Sequence, residues 1–126
     1  MKSRRLLIVE DEIILAMDLR TRLTDLGYSV VSIVDTGAAA ITAAEQHQPD
    51  LILMDIRLYG GMDGIAAAME IRRNRDIPVI YMSAYADKET RQRAAAAEPA
   101  AFLSKMTDDL DLCSAIETAL AAHSIK

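Results

Sequence analysis

The chain has 126 residues, is 52% hydrophobic and carries a formal net charge of −5. That length suits one domain whose core buries about two-thirds of the unfolded surface. The acidic balance argues against a broad basic face for direct nucleic-acid binding, and no apolar run reaches the ~20 residues of a membrane span. The chain opens Met1-Lys2-Ser3-Arg4-Arg5, and the apolar stretch that follows stops at Glu10. This is too short for a signal peptide and reads as a strand over residues 5–10. Leu15, Leu19, Leu23 and Leu26 then share one helical face, and Gly27 supplies a C-terminal stop. A strand is expected at 28–34, followed by an alanine-rich helix from Gly37 to His47 that ends before Pro49. A strand at 50–55, apolar from Leu51 to Met54, is followed by a helix starting near Asp63-Gly64. Its stripe is Ile65, Ala68, Met69 and Arg72. Arg72, Arg73 and Arg75 read as the solvated end of that helix, where cations suit the dipole. The next strand is expected at 77–82, with a helix from Asp87 to Ala97 that stops before Pro99. A last strand at 100–104 leads to a helix capped by Thr107 or Asp108, with Leu112, Ile116 and Leu120 on one face.

Five strands alternating with five helices imply an α/β fold, a parallel sheet with helices on both faces. The run at 51–54 and that at 79–82 are apolar throughout, as strands covered on both sides must be. The single cysteine, Cys113, falls in the last helical pattern and is expected to be a buried, inert thiol. It rules out a disulfide within the chain. The location expected is therefore a reducing one, the cytoplasm.

The chemistry gathers where the strands end. The first run closes on Glu10-Asp11-Glu12, the third on Asp55, the fourth on Ser83 and the fifth on Lys105. Ligands of open parallel sheets bind beyond the carboxyl ends of the strands, so a parallel sheet brings these groups to one edge. Two unit charges 4 Å apart at an effective dielectric of 20 interact by roughly 4 kcal/mol. Clustered carboxylates therefore hold protons more tightly or recruit a cation. An oxygen-rich site of this kind suits Mg²⁺ (or Mn²⁺). A carboxylate beside such a cation can act as the nucleophile in phosphoryl transfer. Asp55 is the candidate nucleophile, Asp11 and Asp55 the candidate ligands. Lys105 and the Ser83 hydroxyl are candidates to hold phosphoryl oxygens.

The runs LLIVEDE at 6–12, PDLILMDIRL at 49–58, MDGI at 62–65, PVIYMSAYAD at 78–87 and AFLSK at 101–105 cover essentially the whole chain. In order and spacing they resemble a two-component response-regulator receiver domain of the single-domain, chemotaxis-regulator type, spanning 1–126. The resemblance implies a flavodoxin-like (βα)5 fold with strand order 2-1-3-4-5. It implies that Asp55 accepts a phosphoryl group from a sensor histidine kinase or a histidine phosphotransfer protein. Glu10 and Asp11 match the acidic pair at the metal, with the backbone carbonyl of Arg57 as a further ligand. Ser83 matches the switch hydroxyl, Phe102 the switch aromatic and Lys105 the phosphate-pairing lysine. The partners implied downstream are a target protein or a fused output domain. A homodimer through the fourth helix, fifth strand and fifth helix is a further implied contact. On this reading the chain is a signalling switch rather than an enzyme, one that assists its own phosphorylation and dephosphorylation.

Four positions depart from the family pattern. Glu10 stands where aspartate is frequent and is expected to reach the metal through water. The loop after Asp55 carries one extra residue and no proline, and Gly60 and Gly61 are expected to absorb it with unusual backbone angles. Phe102 replaces the frequent tyrosine. Met106 replaces a proline that follows the lysine in a cis peptide. A cis bond before a non-proline residue costs about 2.5–4 kcal/mol, so a trans Lys105–Met106 bond or a rearranged loop is expected.

Three other readings compete. A flavin- or nucleotide-binding flavodoxin-like protein needs a glycine- or Ser/Thr-rich cradle after the first strand, where Glu10-Asp11-Glu12 stands. A Mg²⁺-dependent phosphatase with an Asp55 nucleophile commonly has a second aspartate two residues on, where Arg57 stands. A pseudo-receiver, a dimerisation module that is not phosphorylated, fits the fold equally. The sequence ends soon after the last helix. It is expected to be either a stand-alone receiver or a piece of a longer regulator or hybrid kinase.

Overall fold

Five parallel strands form one sheet in the order β2-β1-β3-β4-β5. The strands are β1 (Arg5–Val9), β2 (Ser29–Val34), β3 (Leu51–Asp55), β4 (Val79–Ser83) and β5 (Ala101–Ser104). Between and after them lie α1 (Ile13–Asp25), α2 (Gly37–His47), α3 (Gly64–Asn74), α4 (Lys88–Ala96) and α5 (Asp109–Ser124). These elements come from a computed structural model that describes residues 3–84, 88–97 and 99–124. The expected start of the fourth helix at Asp87 lies outside the described residues.

Alternation along the strands assigns the two faces. Leu7, Val9, Ile52, Met54, Val79 and Tyr81 point to one side, where α2, α3 and α4 pack. Leu6, Ile8, Leu51, Leu53, Ile80 and Met82 point to the other, covered by α1 and α5. The central strands β3 and β4 are buried at every position, as their apolar runs require. The edge strand β2 is only half-buried, and its pairing with β1 shifts register between Leu6 and Leu7.

The helix ends follow the local chemistry. The Thr36 hydroxyl accepts from Ala39 N at 3.0 Å and caps α2, and Asp63 Oδ1 accepts from Ala66 N at 2.9 Å and caps α3. Gly27, with φ +98°, turns the chain out of α1.

Four expectations change. In α1 the buried residues are Ala16, Leu19 and Leu23, whereas Leu15 remains 39% exposed, because the helix meets the sheet about one residue round from the leucine stripe. In α3 the core face is Ile65, Ala67, Ala68 and Ile71, and Met69 is exposed. The packing of α3 against its α2 neighbour favours Ala67 over Met69. Arg72 does more than solvate a helix end, since its Nη1 donates to Ala97 O at 2.7 Å, at the end of α4. Cys113 is half-buried rather than buried, with its sulfur 3.7 Å from the Tyr28 hydroxyl. That hydroxyl donates to Glu117 Oε2 at 2.5 Å and ties the residue before β2 to α5.

Candidate functional site

The parallel register carries the polar strand ends to one edge. Val9 pairs with Met54, Asp55 with Met82 and Ser83 with Ser104. Glu10 therefore follows β1 beside the end of β3, Asp55 closes β3, Ser83 closes β4 and Lys105 follows β5. Three of these polar residues are buried, with Glu10 7%, Asp55 5% and Ser83 5% exposed. Such burial of acids costs free energy unless they are paired.

The pairing comes from Lys105. Its Nζ lies 2.8 Å from Glu10 Oε1 and 2.9 Å from Asp55 Oδ2. Backbone groups complete the shell: Glu12 N donates to Glu10 Oε2 at 3.1 Å, and Arg57 N donates to Asp55 Oδ1 at 3.2 Å. The Lys105 backbone N–H donates to Ser83 O at 3.1 Å, continuing the ladder past β5 and setting where the lysine side chain starts. Among the described residues no peptide bond is cis, so Lys105–Met106 is trans, as the absence of proline led one to expect.

Glu10, Asp11 and Asp55 each offer one carboxylate oxygen, and these atoms lie within 4.8 Å of one another. Three carboxylates facing one ammonium leave two negative charges uncompensated when all are ionised. Burial, followed by the nearby Glu10 charge, pushes the Asp55 carboxyl up to about 7 despite its bond to Lys105. Burial and Glu10 also raise Asp11. Burial opposes ionisation of Glu10 as well, but Lys105 and the Glu12 N–H outweigh it and hold Glu10 below the usual carboxylate range. Lys105 is partly desolvated, yet its two acidic partners raise it. An all-oxygen donor set with two surplus charges fits a hard divalent cation, which Mg²⁺ satisfies with one or two carboxylates and waters.

The loop after Asp55 behaves partly as expected. Gly60 takes φ +97°, whereas Gly61 stays outside the left-handed region, so one glycine suffices for the turn. Tyr59 pairs with Thr36 in an isolated parallel bridge and is 73% exposed. Phe102 is half-buried on the α4 side of β5, with the Arg91 guanidinium 5.2 Å from its ring centroid.

Two contributors are hidden in sequence. A β-carbon on Gly64 would lie 2.0 Å from the Asp55 carbonyl oxygen, and Gly64 N donates to Ile56 O at 2.8 Å. The sequence reads Asp63-Gly64 only as a helix start, and the sole signal for the close approach is the choice of glycine at the first helical position. Arg93 of α4 also reaches Asp63 Oδ2 at 2.8 Å; no spacing rule joins residues on different helices.

The comparisons with known proteins bear on the family and the fold. The response regulator receiver domain family matches residues 6–117. The transcriptional regulatory protein PdtaR of Mycobacterium tuberculosis is 39% identical over 118 residues, covering 94% of this chain and 57% of that protein. The phyllosphere-induced regulator PhyR of Methylorubrum extorquens is 34% identical over 120 residues, covering 94% of this chain and 44% of that protein. The chain thus spans about half the length of these curated relatives. Among solved structures, the signal receiver domain of a modulated diguanylate cyclase from Desulfovibrio desulfuricans superposes with a TM-score of 0.93 at 34% identity, over 98% of each chain. The N-terminal domain of a response regulator/sensory box/GGDEF protein from Carboxydothermus hydrogenoformans gives 0.88 at 31% identity, over 97% of this chain and 98% of that one. A flavodoxin-like sheet in the order 2-1-3-4-5, with an acidic cluster at its carboxyl edge and these relatives, identifies the chain as a member of the response regulator receiver domain family of two-component systems.

Proposed function

We propose that Asp55 is the phosphoacceptor of a phosphorelay, taking its phosphoryl group from a sensor histidine kinase or a histidine phosphotransfer protein. The observation that carries this reading is the buried Asp55 carboxylate, 2.9 Å from Lys105 Nζ and inside a three-acid cluster. A carboxylate oxygen attacks phosphorus, the bond from phosphorus to the donor imidazole nitrogen breaks, and that nitrogen keeps the electron pair; the ring, already protonated on its other nitrogen, leaves as neutral imidazole. The product is an acyl phosphate on Asp55.

Glu10, Asp11, Asp55 and the Arg57 carbonyl are the groups that would hold Mg²⁺ (or Mn²⁺). When bound, the cation supplies charge neutralisation at the phosphoryl oxygens. Lys105 pairs with one of those oxygens, releasing its hold on the unmodified carboxylate, and the Ser83 hydroxyl donates to another. As Ser83 is drawn toward the phosphoryl group, space opens behind it for Phe102 to move inward. The α4, β5 and α5 surface then changes shape and alters contacts with a target protein, a fused output domain or a second copy. This is a shift between two populations, each favoured by its own contacts.

Asp55→Asn tests the assignment. With acetyl phosphate and Mg²⁺ the native chain gains one phosphoryl group by mass spectrometry, and the variant gains none. Labelling of the variant at the native rate excludes Asp55. A native chain that stays unlabelled but dimerises matches the non-phosphorylated pseudo-receiver instead.

A further inference from the structure

Arginines tie helix α4 to its neighbours among the described residues. It has nine residues, and of these only Ala94 is buried among the described residues. Burial of one methyl group gives little free energy to fix a helix in place. The polar ties are better developed. Residues advance about 100° each along a helix, so Arg91 and Arg93 leave α4 on opposite sides. Arg91 reaches across to β5 and places its guanidinium 5.2 Å from the Phe102 ring centroid. Arg93 reaches the other way and binds Asp63 Oδ2 at 2.8 Å. Asp63 Oδ1 meanwhile caps α3, so the anchor is itself fixed to the element that begins against the Asp55 carbonyl. At the far end of α4, Arg72 donates to Ala97 O at 2.7 Å.

These ties would tell apart the two states of the proposed switch. The Arg91 contact exists only while the Phe102 ring faces α4 in its half-buried position. A ring that moves inward withdraws from the guanidinium. An interaction present in one state and lost in the other sets the equilibrium between them. Arg93 makes no contact with the ring. It holds the helix where Arg91 can cover it.

We propose that Arg91 and Arg93 form a latch on α4, with Arg91 covering Phe102 and Arg93 anchored to Asp63, that biases the chain toward its unphosphorylated state. The latch rests on the proposed role of Asp55, and it sets how much binding energy at Asp55 is needed to switch. Arg93 is a positioning residue, and Arg91 acts on the switch ring directly. Neither touches the reacting atoms.

The test compares the native chain with Arg91→Gln, Arg93→Gln and the double variant. Amide exchange of residues 88–96 is read by mass spectrometry, and the apparent affinity for beryllofluoride with Mg²⁺ is titrated. Each single variant is expected to speed α4 exchange and to tighten beryllofluoride binding about two- to fivefold. The two effects in the double variant fall short of their sum, because Arg93 works through Arg91. Tighter binding is a result that mere structural damage would not produce. Unchanged exchange in both single variants overturns the latch. So does faster exchange with unchanged or weaker beryllofluoride binding. If the native chain itself gives no response to beryllofluoride and Mg²⁺, the proposed role of Asp55 fails and the switch bias fails with it. The exchange arm then still reports whether the arginines fasten α4.

Discussion

Gly64 sits so close to Asp55 that a β-carbon there would lie 2.0 Å from the Asp55 carbonyl oxygen. The first turn of α3 thus rests directly on the backbone of the residue proposed to take the phosphoryl group. In an ordinary helix, glycine to alanine stabilises by up to about 1 kcal/mol. Here the sign reverses. Gly64→Ala is expected to destabilise by about 1–3 kcal/mol or more, because strand and helix must be forced apart. Urea unfolding measures the loss. The displaced strand end also slows labelling by acetyl phosphate, and a variant as stable as the native chain would show that the two segments separate freely.

The three-acid cluster ties stability to pH and, with the proposed cation, to divalent metal. Burial raises the folded-state Asp55 carboxyl from its ordinary 3.8 to about 7. Between these values the folded state holds a proton that the unfolded state has released, so the Asp55 contribution to stability declines as pH rises from about 4 to 7. A Mg²⁺ held by this cluster, as proposed, would bind the ionised carboxylates and offset that loss. Added Mg²⁺ is expected to raise Tm, more at pH 8 than at pH 6, with a stabilisation of up to about 2.7 kcal/mol at a hundredfold excess over Kd. EDTA removes the gain. A Tm gain that is equal at both pH values would place the cation elsewhere.

Asp63 shows the opposite linkage. Burial opposes its ionisation, but the Ala66 N–H and the Arg93 guanidinium hold its carboxyl below 3.8. Its contribution is therefore present above that value and is lost as pH falls through the lower folded-state value. NMR titration should place its midpoint below that of a free aspartate. Asp63→Ala loses the cap and costs about 0.5–2 kcal/mol. Asp63→Asn retains the cap and costs less. Equal losses for the two variants would mean that the Arg93 pair, not the cap, is what counts.

Much of this architecture is readable from local pattern. Leu51-Ile52-Leu53-Met54 has no polar residue, so it belongs in a strand covered on both faces, and β3 is buried throughout. Gly27, Thr36 and Asp63 stand at the helix ends where their chemistry places them. The polar residues that close the runs, Glu10, Asp55, Ser83 and Lys105, meet at one edge because parallel strands all end on the same side. The misplaced residues are those whose fate depends on a neighbour. Leu15 and Met69 satisfy a helical stripe, yet both are turned away because the packed helices meet the sheet and each other about one residue round from that stripe.

Periodicity and punctuation in the sequence therefore determined the element order, the fold class and the chemical groups at the carboxyl edge, since each depends on a few adjacent residues. Only the tertiary structure decided how those groups share charge. Lys105 and Asp55 are 50 positions apart, and only the parallel crossovers bring them within 2.9 Å. The same holds for Gly64 beneath the Asp55 carbonyl, for Arg93 on Asp63 and for Arg91 over Phe102. Each is a meeting between elements, set by register and helix rotation, and no local pattern along the chain encodes such distances.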